Sequence, residues 1–255
     1  MDCTGNSVHT HLGTAFVSFT LALSLAFVGT AFAQQPPPPP KAREGKAEFV
    51  LVTTSGNASA QAVGAAGQLT FRPPQWVLDG QTAFVQNKAE GVVNAKTFAA
   101  RGRAARILTP RLQAFGQDSY LRDRFSGIEH RNIIEGGLSY LLLQTARQTL
   151  SIDGALGYLR ERRTIGATLS TPTLGPGTHY KLKISDTSDI TEDLVASFDF
   201  SDAGTWRLTQ AIALTAKVAA PLSLKISNLI RYVDEPVPGF KQPDTMTSAA
   251  LVLSF

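Results

Sequence analysis

The chain has 255 residues, with 24 Lys and Arg against 20 Asp and Glu and a formal net charge of +4. That modest basic excess is dispersed among acids, with no basic tract interleaved with aromatics, which argues against a nucleic-acid partner. Cysteine occurs once, at Cys3, so the chain beyond it holds no disulfide, no thiolate metal site and no cysteine nucleophile.

Residues 14–30 form an apolar run closed by Ala31-Phe32-Ala33. This is the pattern of a secretory h-region with its A-x-A cleavage site, although no Lys or Arg precedes it. Residues 1–33 are expected to leave as a signal peptide. Their loss removes one acid, Asp2, and no base, so 24 bases then face 19 acids. Pro36 to Pro40 follow, a run that favours a stiff polyproline II spacer. Residues 34–45 are therefore expected to be a periplasmic linker.

The rest, 46–255, is one domain's worth of chain. It contains no apolar stretch suited to a helical span, which excludes a helical membrane bundle but not a barrel. Strands are expected at 46–55, 59–71, 75–86, 95–107, 111–122, 131–143, 147–161, 174–184, 189–200, 205–217, 221–234 and 245–255. Several alternate strictly between apolar and polar positions. Ile134, Leu138, Tyr140 and Leu142 oppose Glu135 and Ser139, and Leu150, Ile152, Leu156 and Tyr158 oppose Ser151 and Asp153. Leu194, Phe198 and Phe200 oppose Asp193 and Asp199. Trp206, Leu208, Ile212 and Leu214 oppose Arg207, Thr209 and Lys217, and Leu224, Ile226, Ile230 and Tyr232 oppose Lys225 and Arg231. Trp206 and Tyr232 fall near loop ends, where interfacial aromatics belong. Strands 46–55 and 111–122 are less clean, because Leu112 and Phe115 cannot share a face and Asp118 has the parity of Leu112.

The connections after even-numbered strands are short. Those after odd-numbered strands include long ones at 87–94, 123–130, 162–173 and 235–244, with short ones at Gly56-Asn57-Ala58 and Ser201 to Gly204. Loops sorted in this way fit an outer-membrane barrel better than the competing soluble sandwich or lipocalin-like barrel, which also alternate. The expected fold is all-β: an antiparallel up-and-down transmembrane β-barrel of twelve strands in the bacterial outer membrane. Its last strand, Thr245 to Phe255, puts Thr247, Ala249, Leu251, Leu253 and Phe255 on one face. The terminal aromatic Phe255 looks like the signal read by barrel-assembly machinery.

Candidate chemistry is sparse. His130 and His179 stand far apart without a Cys or HxxxH companion, which makes a weak metal site, and both are expected in solvated loops or rims. Ser119, Ser126 and His130, with Asp118 and Asp123, are close in sequence, but no GxSxG elbow accompanies them. They read as turn and strand-end polar groups, so no catalytic residue, metal or cofactor is assigned. Gly175-Pro176-Gly177 is expected to be a turn, since no helix or Lys-Ser/Thr pair follows to hold a phosphate. Asn57-Ala58-Ser59 reads as a hairpin turn. Arg122, Arg124, Arg131, Arg160, Arg162 and Arg163 gather at the outer strand ends and loops. They are candidates for lipopolysaccharide phosphate contact, against an ordinary rim neutralised by Asp123, Glu129 and Glu161. Asp153, Asp199, Arg207, Lys217, Lys225 and Arg231 have the parity expected to line the lumen.

Ser55-Gly56-Asn57, Leu69-Thr70-Phe71-Arg72-Pro73, Tyr120 to Gly127, Pro236-Val237-Pro238-Gly239 and Asp244-Thr245 occur in an order and spacing that resembles a family of uncharacterised outer-membrane proteins. That family includes a salt-induced outer-membrane protein. The resemblance covers nearly the whole chain after the signal. It implies export and a barrel, a link to salt or envelope stress, and no substrate or catalytic residue. Together with the pattern it gives the leading expectation of a small passive pore or structural envelope component. The alternatives are an outer-membrane lipid hydrolase and a surface-binding or adhesion barrel.

Overall fold

The computed structural model describes residues 41–54, 60–200, 205–240 and 242–255. The expected signal peptide, the five-proline run and the turns at 55–59 and 201–204 lie outside them. Twelve strands follow one another in chain order: β1 Arg43–Thr54, β2 Ala60–Phe71, β3 Trp76–Ala89, β4 Val92–Ile107, β5 Leu112–Asp123, β6 Ile128–Gln144, β7 Gln148–Arg163, β8 Leu169–Lys183, β9 Ser188–Asp199, β10 Trp206–Ala219, β11 Leu222–Val233 and β12 Pro243–Ser254. Each pairs antiparallel with its chain neighbours, and β1 pairs with β12, so the sheet closes on itself. The shortest strands have 12 residues. At roughly 3.3 Å per residue and a tilt of about 40° they reach across a hydrocarbon core.

Alternation decides which face looks where. Leu69, Ile134, Leu138, Leu156, Ile226 and Leu251 are exposed on the outside, with Ile134 and Leu156 at 60% and 62%. On the opposite face of the sheet Thr70, Glu161, Thr173, Asp199 and Arg207 are buried inside. A water-soluble sandwich has the reverse arrangement. An apolar outer surface around a polar interior belongs to a barrel that crosses a bilayer with its strands. Aromatic groups sit toward both ends of this wall, with Phe71 and Trp76 exposed beside the β2–β3 turn. Trp206 stacks on Tyr232 at 4.7 Å, and Phe98, Tyr120 and His130 form a second cluster.

β5 resolves the conflict in its sequence. Phe115 turns inward, 6% exposed, beneath the guanidinium of Arg103 at 3.7 Å. Leu112, Asp118 and Tyr120 therefore face outward, and the Asp118 carboxylate accepts a bond from Asn132 Nδ2 at 2.6 Å.

Three sequence expectations change. The loop foreseen at 87–94 is a two-residue hairpin turn, because β3 and β4 continue to Ala89 and Val92. Glu90 and Gly91 both have positive φ, 51° and 80°, as a tight hairpin with the twist of its strands requires. The connection foreseen at 162–173 shrinks to 164–168. Loop lengths at the two ends therefore differ less than the sequence suggested, with 234–242 the longest among the described residues. Gly175-Pro176-Gly177 is not a turn but the middle of β8. Proline lacks the N–H that a central strand donates, and here the β8–β9 register passes from Leu174 to Gly177, skipping Gly175 and Pro176.

Candidate functional site: a barrel interior filled on one flank

The interior is not uniform around its circumference. On the β6–β11 flank, toward the end away from Arg43 and Ser254, it is filled by ion pairs. Glu161 accepts from Arg131 Nε at 2.6 Å and from Arg163 Nε at 2.8 Å. Arg207 Nη1 holds both oxygens of Asp199 at 2.8 and 3.0 Å. Asp123 joins Arg231 at 3.3 Å and Thr97 at 2.8 Å. The acids of these pairs are almost fully enclosed. Ile128 and Val237, both buried, add apolar cover beside them. Gly127 has φ 79°, and a Cβ there would run into Val237, so the 234–242 loop lies against the β5–β6 turn. Ser126 Oγ ties that turn to Asp244 at 3.1 Å.

Glycines shape the same flank nearer the middle. Glu135 accepts from Gln117 Nε2 at 2.6 Å, and its side chain lies over Gly157 and Gly175, where an added Cβ would sit 2.6 and 2.9 Å from it. His179 is not a rim histidine. It projects inward from β8, with Nδ1 2.6 Å from Asp193 and Nε2 3.3 Å from Asp153. Arg103 Nη1 donates to the same Asp153 oxygen at 2.7 Å.

The β1–β5 flank is different. Ala66, Ala83 and Ala99 keep it open and border a cavity of about 510 Å³. A second cavity, about 370 Å³, continues toward the end holding the β2–β3 and β4–β5 turns. The two share Gln68, Gln81 and Arg101 as lining. Bases line this space, namely Arg72, Arg101, Arg103, Arg111, Arg131, Lys225 and Arg231, with Glu48 and Asp79 as acids. The carboxylates paired with Arg103, Arg131 and Arg231 lie behind them in the wall, at most 7% exposed.

The six arginines grouped at the outer strand ends separate into two sets. Arg131 and Arg163 face the interior as partners of Glu161, so neither is placed to touch a surface lipid. Arg122 and Arg160 are exposed on the outer wall. Arg124 and Arg162 both pair with Glu129, at 3.1 and 2.9 Å. Of the residues with lumen parity, Asp153, Asp199, Arg207, Lys225 and Arg231 make the interior contacts just described, Lys225 binding Glu48 at 2.8 and 3.0 Å. Lys217 lies at the rim, where β10 bulges before Ala219.

The serine and histidine tested as a hydrolytic set do not converge. Ser119 pairs with the inward Arg101, whereas His130 is on the outer wall with Nδ1 2.6 Å from the Tyr120 hydroxyl. Ser126 is engaged with Asp244. Among the described residues no cluster of His, Cys, Asp and Glu has the arrangement of a metal site.

Residues 47–255 match the family model described as Protein of unknown function, DUF481. The chain belongs to that family. A curated relative, the Uncharacterized protein YdiY of Escherichia coli (strain K12), is 23% identical over 203 residues, covering 79% of this chain and 78% of that one. Among solved structures, a NanC porin covers 84% of this chain and 98% of its own at 10% identity, with a TM-score of 0.46. The COG4313 outer membrane channel from Pseudomonas putida F1 covers 89% and 100% at 10% identity, with a TM-score of 0.48.

Sequence reasoning missed the cavity-facing Arg72, Arg101, Arg103 and Arg111 of this DUF481 chain. A signal was present for two of them. Arg101 and Arg103 are two apart in one strand, so they share a face, and their outward neighbours Gly102 and Ala104 leave the arginines no role on the lipid side.

Proposed function

We propose that the protein is an outer-membrane barrel forming a narrow passive pore that favours small anions, with no enzymatic activity. The reading is carried by the two cavities of the open flank, which share Gln68, Gln81 and Arg101 as lining and so adjoin each other beside the filled flank, where they are read as one path. The path presents cations to a passing solute, while the acids paired with three of them are set back in the wall. Low-dielectric walls around charges of one sign raise the local concentration of counter-ions. Residues 1–33 would be removed on export, and the proline-rich stretch would lead into β1 at Arg43. The end with the β2–β3 and β4–β5 turns then faces the periplasm, and Arg122, Arg124, Arg160 and Arg162 are the outer arginines left to meet lipopolysaccharide phosphates.

The test is single-channel recording of the refolded barrel in planar bilayers under a KCl gradient. A small conductance with a reversal potential on the anion side supports the pore. Cation preference would refute the electrostatic argument. A sealed barrel with no conductance would leave a structural envelope component in its place.

A further inference from the structure

The cavity of about 370 Å³ at the turn end has more positive charge than its own acids account for. Asp79 is already well satisfied. It accepts from Thr70 Oγ1 at 2.8 Å and from Gln68 and Gln81 at 2.9 Å each, and Arg101 reaches it at only 3.8 Å. The Nε–H of Arg101 is buried and meets no acceptor among the described residues. Two residues along β4, Arg103 is held in place by Asp153 on one side and by the Phe115 ring on the other. Arg111 reaches the same space from the β4–β5 turn and makes no ion pair among the described residues. Arg72 borders it from the β2–β3 turn, tied back to Glu44 at 3.2 Å.

Two guanidiniums therefore come from one strand face and two from adjacent turns. Among the described residues, one of the four has an enclosed donor without a partner and another has no paired acid. Guanidinium forks match the oxygens of a tetrahedral oxyanion better than a point charge does. A doubly charged anion with several acceptor oxygens can also bridge neighbouring arginines that repel each other. The volume lies at the low end of the range for small-ligand pockets, and Gln113, Ser139, Ser151 and His179 add polar groups to a lining that also includes Val77, Pro110 and Leu141.

We propose that this arginine cup is a binding site for a phosphate dianion, either free or carried on a small hydroxylated ester, entering from the turn end. The proposal deepens the anion-pore reading and rests on it for the cup's place on the conduction path. Arg101, held only loosely by Asp79 at 3.8 Å, and Arg111 supply the donors, and Arg103 is a fixed positive wall.

The experiment is calorimetric titration of the refolded, detergent-solubilised barrel with inorganic phosphate, glucose 6-phosphate, acetate and glucose, alongside conductance of the same preparation. Saturable binding of either phosphate species, absent for glucose and weaker for acetate, supports the site, and the tighter of the two identifies the source. Losing one charged hydrogen-bond partner in Arg101→Gln or Arg111→Gln should weaken that binding about 10- to 100-fold. The outward variant Lys96→Gln, exposed on β4 and outside both cavities, should bind as the parent does. Heat-shifted gel mobility checks that each variant is folded. No phosphate binding by the folded parent, equal binding of acetate, or unchanged affinity in both arginine variants would overturn the proposal. Conductance without phosphate binding would sink the cup and leave the pore, and binding without conductance would do the reverse.

Discussion

Removing Glu161 is the sharpest test of the filled flank. The side chain is 2% exposed and accepts from two arginines, Arg131 at 2.6 Å and Arg163 at 2.8 Å. Glu161→Ala leaves both guanidiniums inside, with side-chain exposures of 12% and 20%. A hydrogen bond to a charged group contributes about 1.5–3 kcal/mol, and breaking a buried pair from one side costs about 3–5 kcal/mol. Arg163 can recover some hydration, so the loss should fall near the lower end, about 3 kcal/mol. Glu161→Gln keeps the shape and one acceptor and should cost less. Converting Glu161, Arg131 and Arg163 together to Met removes every orphaned charge and should restore stability to within about 1 kcal/mol of the parent. Urea unfolding in lipid vesicles, followed by the fluorescence of Trp76 and Trp206, measures all three variants. A Glu161→Ala loss under about 1 kcal/mol would mean that water reaches these arginines freely and that the flank is not sealed.

The two faces of the wall should respond oppositely to substitution. Leu156→Arg, on the outer face of β7, should cost about 2–4 kcal/mol by placing charge in hydrocarbon. Ala83→Phe, on the open flank, should spare stability in the same urea assay but reduce single-channel conductance, and equal effects on both properties would refute the assignment of faces. Lys225 reaches over the inward Ala250 and Val252 of β12 to grip Glu48 of β1. It thereby braces a seam whose register runs from Lys46↔Ser254 to Phe49↔Leu251. Lys225→Ala should lower stability by only about 1 kcal/mol, because the pair is partly solvated, yet lower the temperature at which the SDS-resistant band converts to the slower form. An unchanged conversion temperature would show that the seam holds without this brace. Phe255 bonds Gly45 in both directions, at 2.9 and 3.0 Å, and its ring occupies the space a side chain at Gly45 would need. Phe255→Asp should impair outer-membrane insertion more than Phe240→Asp in the 234–242 loop, and equal heat-shifted fractions for the two would dismiss Phe255 as an assembly signal.

The architecture was legible because a strand's period is two, and one face of this sheet meets hydrocarbon. Ile134, Leu138, Leu156, Ile226 and Leu251 announced their side from sequence alone. The misreadings have local causes. Asp118 is a carboxylate with outward parity, satisfied by Asn132 from the next strand, and it hid the alternation of β5 because sequence does not show that partner. Pro176 suggested a turn, although a strand tolerates proline where its ladder to one neighbour lapses. Asn87 and Lys88 are polar enough to look like loop, yet the Glu90-Gly91 turn lets both strands run on past them.

The interior pairings were legible only in part, and for a different reason. Carrying the parity of Ile134 back along β6, and that of Tyr158 forward along β7, would have turned Arg131, Glu161 and Arg163 inward. Reading these positions as outer strand ends and loop concealed this. No such extension could join His179 to Asp153 and Asp193, which come from the strands on either side of it. Their meeting depends on the β7–β8 and β8–β9 registers, the second of which is interrupted at Pro176. Single-strand alternation fixes which side a residue faces but not its height relative to a partner across the ladder. Height decides whether a charge is cancelled. Arg103, Arg131 and Arg231 find acids in the wall at their own level, whereas among the described residues Arg101 finds Asp79 already occupied and Arg111 finds none. The cationic lining of the open flank therefore follows from register, and it persists although bases and acids are nearly balanced over the chain as a whole.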